Sequence, residues 1–201
     1  MIRALLFLLL FAPGWAMAGQ FPAIYDVTGV AETDTLNVRS GPATDFRVIG
    51  KLAPDATGIE VVDTNDDGDW GLIITGEQSG WVALRFMARQ PGQPETGLPE
   101  RLSCSGTEPF WSFRLAADGT AEFSRPDITV VFNSVQTVRS ENRTDRHAVF
   151  GDGGDTVATA IVGRNQCSDG MSDRVYGLGI DLVVTDTDKV RVYSGCCSVA
   201  Q

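Results

Sequence analysis

No segment of this chain sustains an amphipathic helical period; turn residues cut it into short β-rich runs. Alternation of apolar and polar residues along such runs marks half-buried strands. In the N-terminal half, strands are expected at residues 25–30, 35–38, 50–52, 58–62, 70–74 and 80–83. In the C-terminal half, Trp111, Phe113 and Leu115 alternate with Ser112 and Arg114. Further strands are expected around residues 120–123, 128–132, 135–138, 147–150, 156–162, 179–184 and 189–193. About eight antiparallel strands in about 100 residues suffice to close a small barrel or sandwich, which also removes exposed edges. The expected class is all-β.

Residues 88–100 (ARQPGQPETGLPE) carry three prolines and two glycines and no apolar periodicity. The stretch reads as a linker, extended by its prolines. The expected division is a signal peptide at 1–18, a first domain at 19–88, a linker at 89–101 and a second domain at 102–201.

The signal reading rests on Arg3 as the positive segment, an apolar run over residues 4–12 and the small-x-small site Ala16-Met17-Ala18. The run is shorter than the ~20 residues needed to span a bilayer. A periplasmic or secreted protein with no membrane span after cleavage is expected. The formal net charge of −10 makes nucleic acid a poor partner, because such a surface repels phosphate backbones.

All four cysteines, Cys104, Cys167, Cys196 and Cys197, follow position 100. In an exported chain an even count reads as disulfides. Successive side chains of a strand point to opposite faces, so Cys196 and Cys197 reach different partners, one each from Cys104 and Cys167. No CxxC spacing exists and the single histidine, His147, stands alone, so no metal site and no cofactor are expected.

The segment LNVRSGP at residues 36–42, followed by Trp70 and by Gly80-Trp81-Val82, resembles a bacterial SH3-type (SH3b) domain over roughly residues 25–87. That resemblance implies a small β-barrel that holds peptides or cell-wall fragments. In the second half, Gly106-Thr107-Glu108-Pro109-Phe110-Trp111, the run from Cys167 through Asp169-Gly170-Met171-Ser172-Asp173 to Arg174, and Gly195-Cys196 resemble an uncharacterised family of bacterial envelope proteins and lipoproteins. Its marks are EPFW, C-x-DGMSD and a closing GC. This second resemblance implies an envelope location, a compact β fold and a Cys167–Cys196 bond, which leaves Cys104–Cys197 as the other.

Candidate site residues divide by module. Arg39 either reaches a ligand carboxylate or ties down the turn after it. Trp70, beside the acidic loop at residues 63–69, is expected to be exposed as an aromatic platform, and Trp81 to be buried. The loop imitates a calcium loop, but its twelfth position is Ile74 where a bidentate glutamate is required; a solvated turn is expected. Asp169 and Asp173 are read as caps of a tight turn, with Arg174 paired to one of them. No catalytic residue is expected: His147 reads as a surface residue with no nucleophile elbow in reach.

The expected function is non-catalytic binding in the envelope, the SH3-like module contacting peptidoglycan peptides or an envelope protein. The alternative is a cell-wall hydrolase or hydrolase inhibitor with the C-terminal domain as effector.

Overall fold

The structure, a computed structural model, describes residues 21–94 and 96–199; the expected signal peptide lies outside them. Almost everything described is antiparallel β-structure in two sheets. No helix among the described residues is long and apolar enough to cross a membrane.

The first sheet contains β1 (Ala23–Val27), β2 (Leu36–Arg39), β3 (Val48–Leu52), β4 (Ile59–Thr64), β5 (Trp70–Thr75), β6 (Gln78–Ala83) and β7 (Met87–Arg89), with one 3-10 turn at Leu84–Phe86. Their spatial order is β3-β2-β6-β5-β4-β1-β7. The inward positions Leu36, Val38, Val61, Ile73, Val82 and Met87 form one core. The LNVRSGP segment serves that core and the turn beyond it. Leu36 and Val38 point inward, and a side chain at Gly41 would collide with the Phe46 ring folded over it. Gly80 is small because Val38 and Ile49 occupy the space a Cβ would need.

The second sheet runs β8 (Leu102–Gly106), β9 (Trp111–Leu115), β10 (Ala121–Arg125), β11 (Ile128–Phe132), β12 (Val135–Arg139), β13 (Arg146–Asp152), β14 (Val157–Cys167), β15 (Tyr176–Thr185) and β16 (Val190–Ser198). Each strand pairs with its sequence neighbour, except between β11 and β12, and β16 returns to pair with β8. The result is a nearly closed up-and-down barrel. One interior cluster takes side chains from every one of the nine strands, so the interior is packed rather than hollow. The single seam lies between β11 and β12, where the backbone N–H of Val135 donates to Gly119 O at 3.0 Å.

Two disulfides tie the closing strand, Cys104–Cys197 across β8 and β16 and Cys167–Cys196 from β14 to β16. These are the pairings implied by the envelope-family resemblance. Among the described residues no cysteine is free. Trp111, Phe113 and Leu115 all face inward. The Trp111 indole lies over both Gly106 and Gly195, and a Cβ at either would strike it; at Gly195 it would also strike the Ser105 carbonyl.

Three expectations change here. β8 and β7 carry too few apolar residues to stand out in sequence, yet β8 closes the barrel. His147 is not a surface residue: on β13 it shares the inward parity of Val149 and Gly151, and it is only 5% exposed. Burial, and then the charges of Arg164 and Arg139, hold its pKa below the ordinary histidine value. Residues 88–100 are not a free tether. Ala88 pairs with Asp26 within β7, and the side-chain amide of Gln93 bonds both backbone groups of Ile24, at 2.7 and 2.8 Å. Leu98 then packs against the core of the second barrel.

Gly195→Ala is expected to destabilise the second barrel by about 1–3 kcal/mol, the cost of overpacking a filled interior. Chemical denaturation of the oxidised protein measures it. An unchanged midpoint would mean that β16 and β8 do not approach as closely as described.

Candidate functional site

The concave surface of the first sheet forms around the residues singled out in sequence. Arg39 and Trp70 line the same cleft of about 220 Å³, together with Asp34, Thr44, Arg85 and Phe86. A broader depression adjoins it and shares Thr44, Trp70 and Arg85. Trp70 opens β5; its backbone N–H donates to Asn65 Oδ1 at 2.9 Å, and Asn65 N–H donates back to Trp70 O at 3.1 Å. This pair closes the acidic loop as an Asn-held turn, so the loop serves to place the indole.

The exposures of the two tryptophans are opposite to expectation. Trp70 is 9% exposed and forms the floor of the cleft, outside the main core. Trp81 is half-buried. Its neighbours Gly80 and Val82 take the inward parity of β6, which turns Trp81 to the outer face.

Arg39 follows the second of the two readings given for it. Its Nη1 donates to Phe46 O at 2.8 Å, which with Ser40 N–H to Arg47 O pins the loop at residues 40–47 beside the cleft. The free cation at the rim is Arg85, which was not singled out in sequence. It is exposed, its guanidinium sits 4.6 Å from the Phe86 ring centroid, and among the described residues it forms no ion pair. The only sequence signal for it is a basic residue directly after the GWV strand.

Residues 34–88 match the family model of the bacterial SH3 domain. The match covers β2 through β6 and reaches into β7, and so includes Arg39, Trp70 and Arg85 of the cleft. No curated protein and no solved structure matches the chain. A bacterial SH3 domain points to a cell-wall-associated binding module, and the two disulfides fit an extracytoplasmic location.

The motif loop of the second barrel is built as an internal turn and a latch onto the SH3 domain. Asp169 accepts the N–H groups of Met171 and Ser172 and the Ser172 hydroxyl. These bonds hold its carboxyl below the ordinary aspartate value, the Met171 N–H first among them. Asp173 does not cap with its side chain. Its backbone N–H donates to Glu77 O at 3.0 Å and its carbonyl accepts from Ser79 N–H at 3.2 Å, an isolated parallel bridge to the β5–β6 hairpin of the SH3 domain. Arg174 pairs with neither aspartate: it donates to Gly76 O at 2.8 Å and Glu77 Oε1 at 2.7 Å.

A second contact between the modules involves a titrating group. Glu60 of β4 lies beside Ser198 and Val199, whose polar groups favour its charged form. Burial nevertheless pushes its pKa up to about 7, and one carboxyl oxygen has no partner. The folded chain therefore holds a proton there that the unfolded chain has released above about 4.5. Stability contributed by the neutral acid is present below about 4.5 and is lost as pH rises through about 7. Glu60→Gln is expected to match the wild type in urea denaturation at pH 4 and to exceed it by about 1–3 kcal/mol at pH 8. Equal stabilities at pH 8 would show that Glu60 ionises in the fold without cost.

Proposed function

We propose that this chain is a non-catalytic binding protein of the bacterial envelope whose SH3 domain takes a cell-wall peptide across the Trp70 cleft. The observation that carries the reading is the convergence of Trp70, Arg39, Arg85 and Asp34 on one concave surface of the matched domain. The indole supplies a flat apolar floor. Arg85 supplies an uncommitted cation at the rim, and Asp34 an acid on the same wall. A short peptide carrying both a carboxylate and an ammonium group complements that arrangement. Electrostatic matching of this kind orients a ligand, while the aromatic floor supplies most of the affinity. The periplasm is the compartment that suits an oxidised chain with such a domain.

Retention of the mature, oxidised protein on purified peptidoglycan tests the proposal. Arg85→Ala is expected to weaken retention about fivefold or more, the effect of about 1 kcal/mol, with unchanged thermal stability. Trp70→Phe, which keeps the floor filled, is expected to weaken it less than Trp70→Ala, which also opens a void and costs the fold about 3–5 kcal/mol. Failure of the wild type to bind peptidoglycan, with capture of an envelope protein instead, would replace the peptide with a protein partner. Release of soluble wall fragments by the folded protein would replace binding with hydrolysis.

A further inference from the structure

Between the modules lies a cavity of about 410 Å³ that belongs to neither the SH3 cleft nor the motif loop. Three arginines line it, Arg89 from the end of β7, Arg101 just before β8 and Arg164 from β14. Its other walls mix apolar groups, among them Pro22, Ile24, Pro94 and Val199, with the polar side chains of Thr57, Gln90, Gln93 and Glu100. Such a concentration of cations is unexpected in a chain whose net charge is −10.

Arg89 and Arg164 are held in place by neutral acceptors only. Arg89 Nη2 donates to Pro94 O at 3.1 Å. Arg164 donates to Phe21 O, and through Nη2 to Gly97 O at 2.6 Å. The Nε of each is buried and has no partner. Among the described residues no carboxylate comes within ion-pair distance of either guanidinium. Glu100 lines the same cavity without pairing to them. Burial, and then the neighbouring charge of Arg89, pulls the Arg164 pKa down to about 10. A buried charged donor left unpaired is costly, and a guanidinium is shaped to receive a carboxylate through two parallel bonds.

The geometry points to a binding site for a carboxylate on a small apolar body, such as the free end of a short peptide, held between Arg89 and Arg164 at the module junction. A monoanion fits better than phosphate: the Gln90 and Gln93 amide donors on the wall are already spent on Asp26 and on backbone carbonyls, and Glu100 on the same wall opposes a second negative charge. The site is separate from the SH3 cleft, so it stands whether or not that cleft binds cell-wall peptide. Because its walls come from β1, β7, the connecting segment and β14, a bound ligand stabilises the docked arrangement of the two modules by mass action.

Isothermal titration of the full mature, oxidised chain tests the assignment with three probes: N-acetyl-Ala-Ala as the free acid, the same dipeptide as its C-terminal amide, and inorganic phosphate. Saturable binding of the free acid is expected, at least about tenfold weaker for the amide and for the acid with Arg89→Gln. Phosphate is expected not to displace the acid. The comparison of acid with amide uses the wild type and so survives any folding defect in the variant. Absence of saturable binding, equal binding of the amide, or displacement by phosphate would overturn the proposal. So would loss of binding in Arg85→Ala with Arg89→Gln silent, which would move the ligand to the SH3 cleft. Binding seen only after Glu95→Gln would overturn it too, by showing that the chain's own carboxylate fills the site.

Discussion

The adjacent cysteines near the end of β16 set the positions of most other parts of this structure. Their side chains leave the strand on opposite faces, so one staples β16 to β8 and the other staples it to the end of β14. The first bond closes the barrel. The second anchors the start of the motif loop, whose far end is latched to the SH3 hairpin through Asp173 and Arg174. With β16 fixed in this way, Ser198 and Val199 reach Glu60 of the other module. Barrel closure and module docking therefore share one covalent origin.

The docking contacts are polar and mostly backbone-directed. Arg164, Arg174, Gln166 and the Asp173 bridge all reach across to carbonyls or carboxylates of the first module or of the segment beside it. A side chain at Gly177 would strike the Val62 carbonyl, so the modules also approach closely at the start of β15. Exposed ion pairs such as Arg174–Glu77 contribute little singly. Several hydrogen bonds fixed by an oxidised loop fix orientation more than they add affinity. That suits an interface able to tighten or loosen with a ligand between its halves.

Much of this was legible from sequence because strand signals are local. Alternation placed Trp111, Phe113 and Leu115 inside and located most strands with enough apolar residues, but it ended β14 and β16 five residues early, short of the polar, cysteine-bearing ends of both strands. The pattern failed where parity is set by a partner strand. GWV suggests a buried tryptophan, but Gly80 must lie over Val38, and that turns Trp81 outward and leaves Trp70 as the cleft floor. His147 was misread for the same reason, since nothing near it in sequence shows that β13 presents it inward. The segment at 88–100 has the composition of a tether. Residues 90 and 93 are tied down by the Gln93 amide bonding the Ile24 backbone and the Gln90 amide bonding Asp26, pairings with no apolar signature. Arg39 and Trp70 were recognisable as belonging to one surface; Arg85 was not, because an exposed basic residue after a strand is commonplace.

The strand order has a mechanical consequence. The chain enters the second barrel at β8 and leaves it at β16, and these two strands are bonded through Cys104–Cys197, 93 residues apart in sequence. Tension applied between the SH3 domain and the far end of β16 passes through that sulfur bridge and bypasses the loop of chain it encloses. The barrel hangs beside the line of force, and only the few residues outside the bridge can lengthen while it remains oxidised. Reduction would put the whole barrel into the load path, with β16 the first strand exposed to peeling.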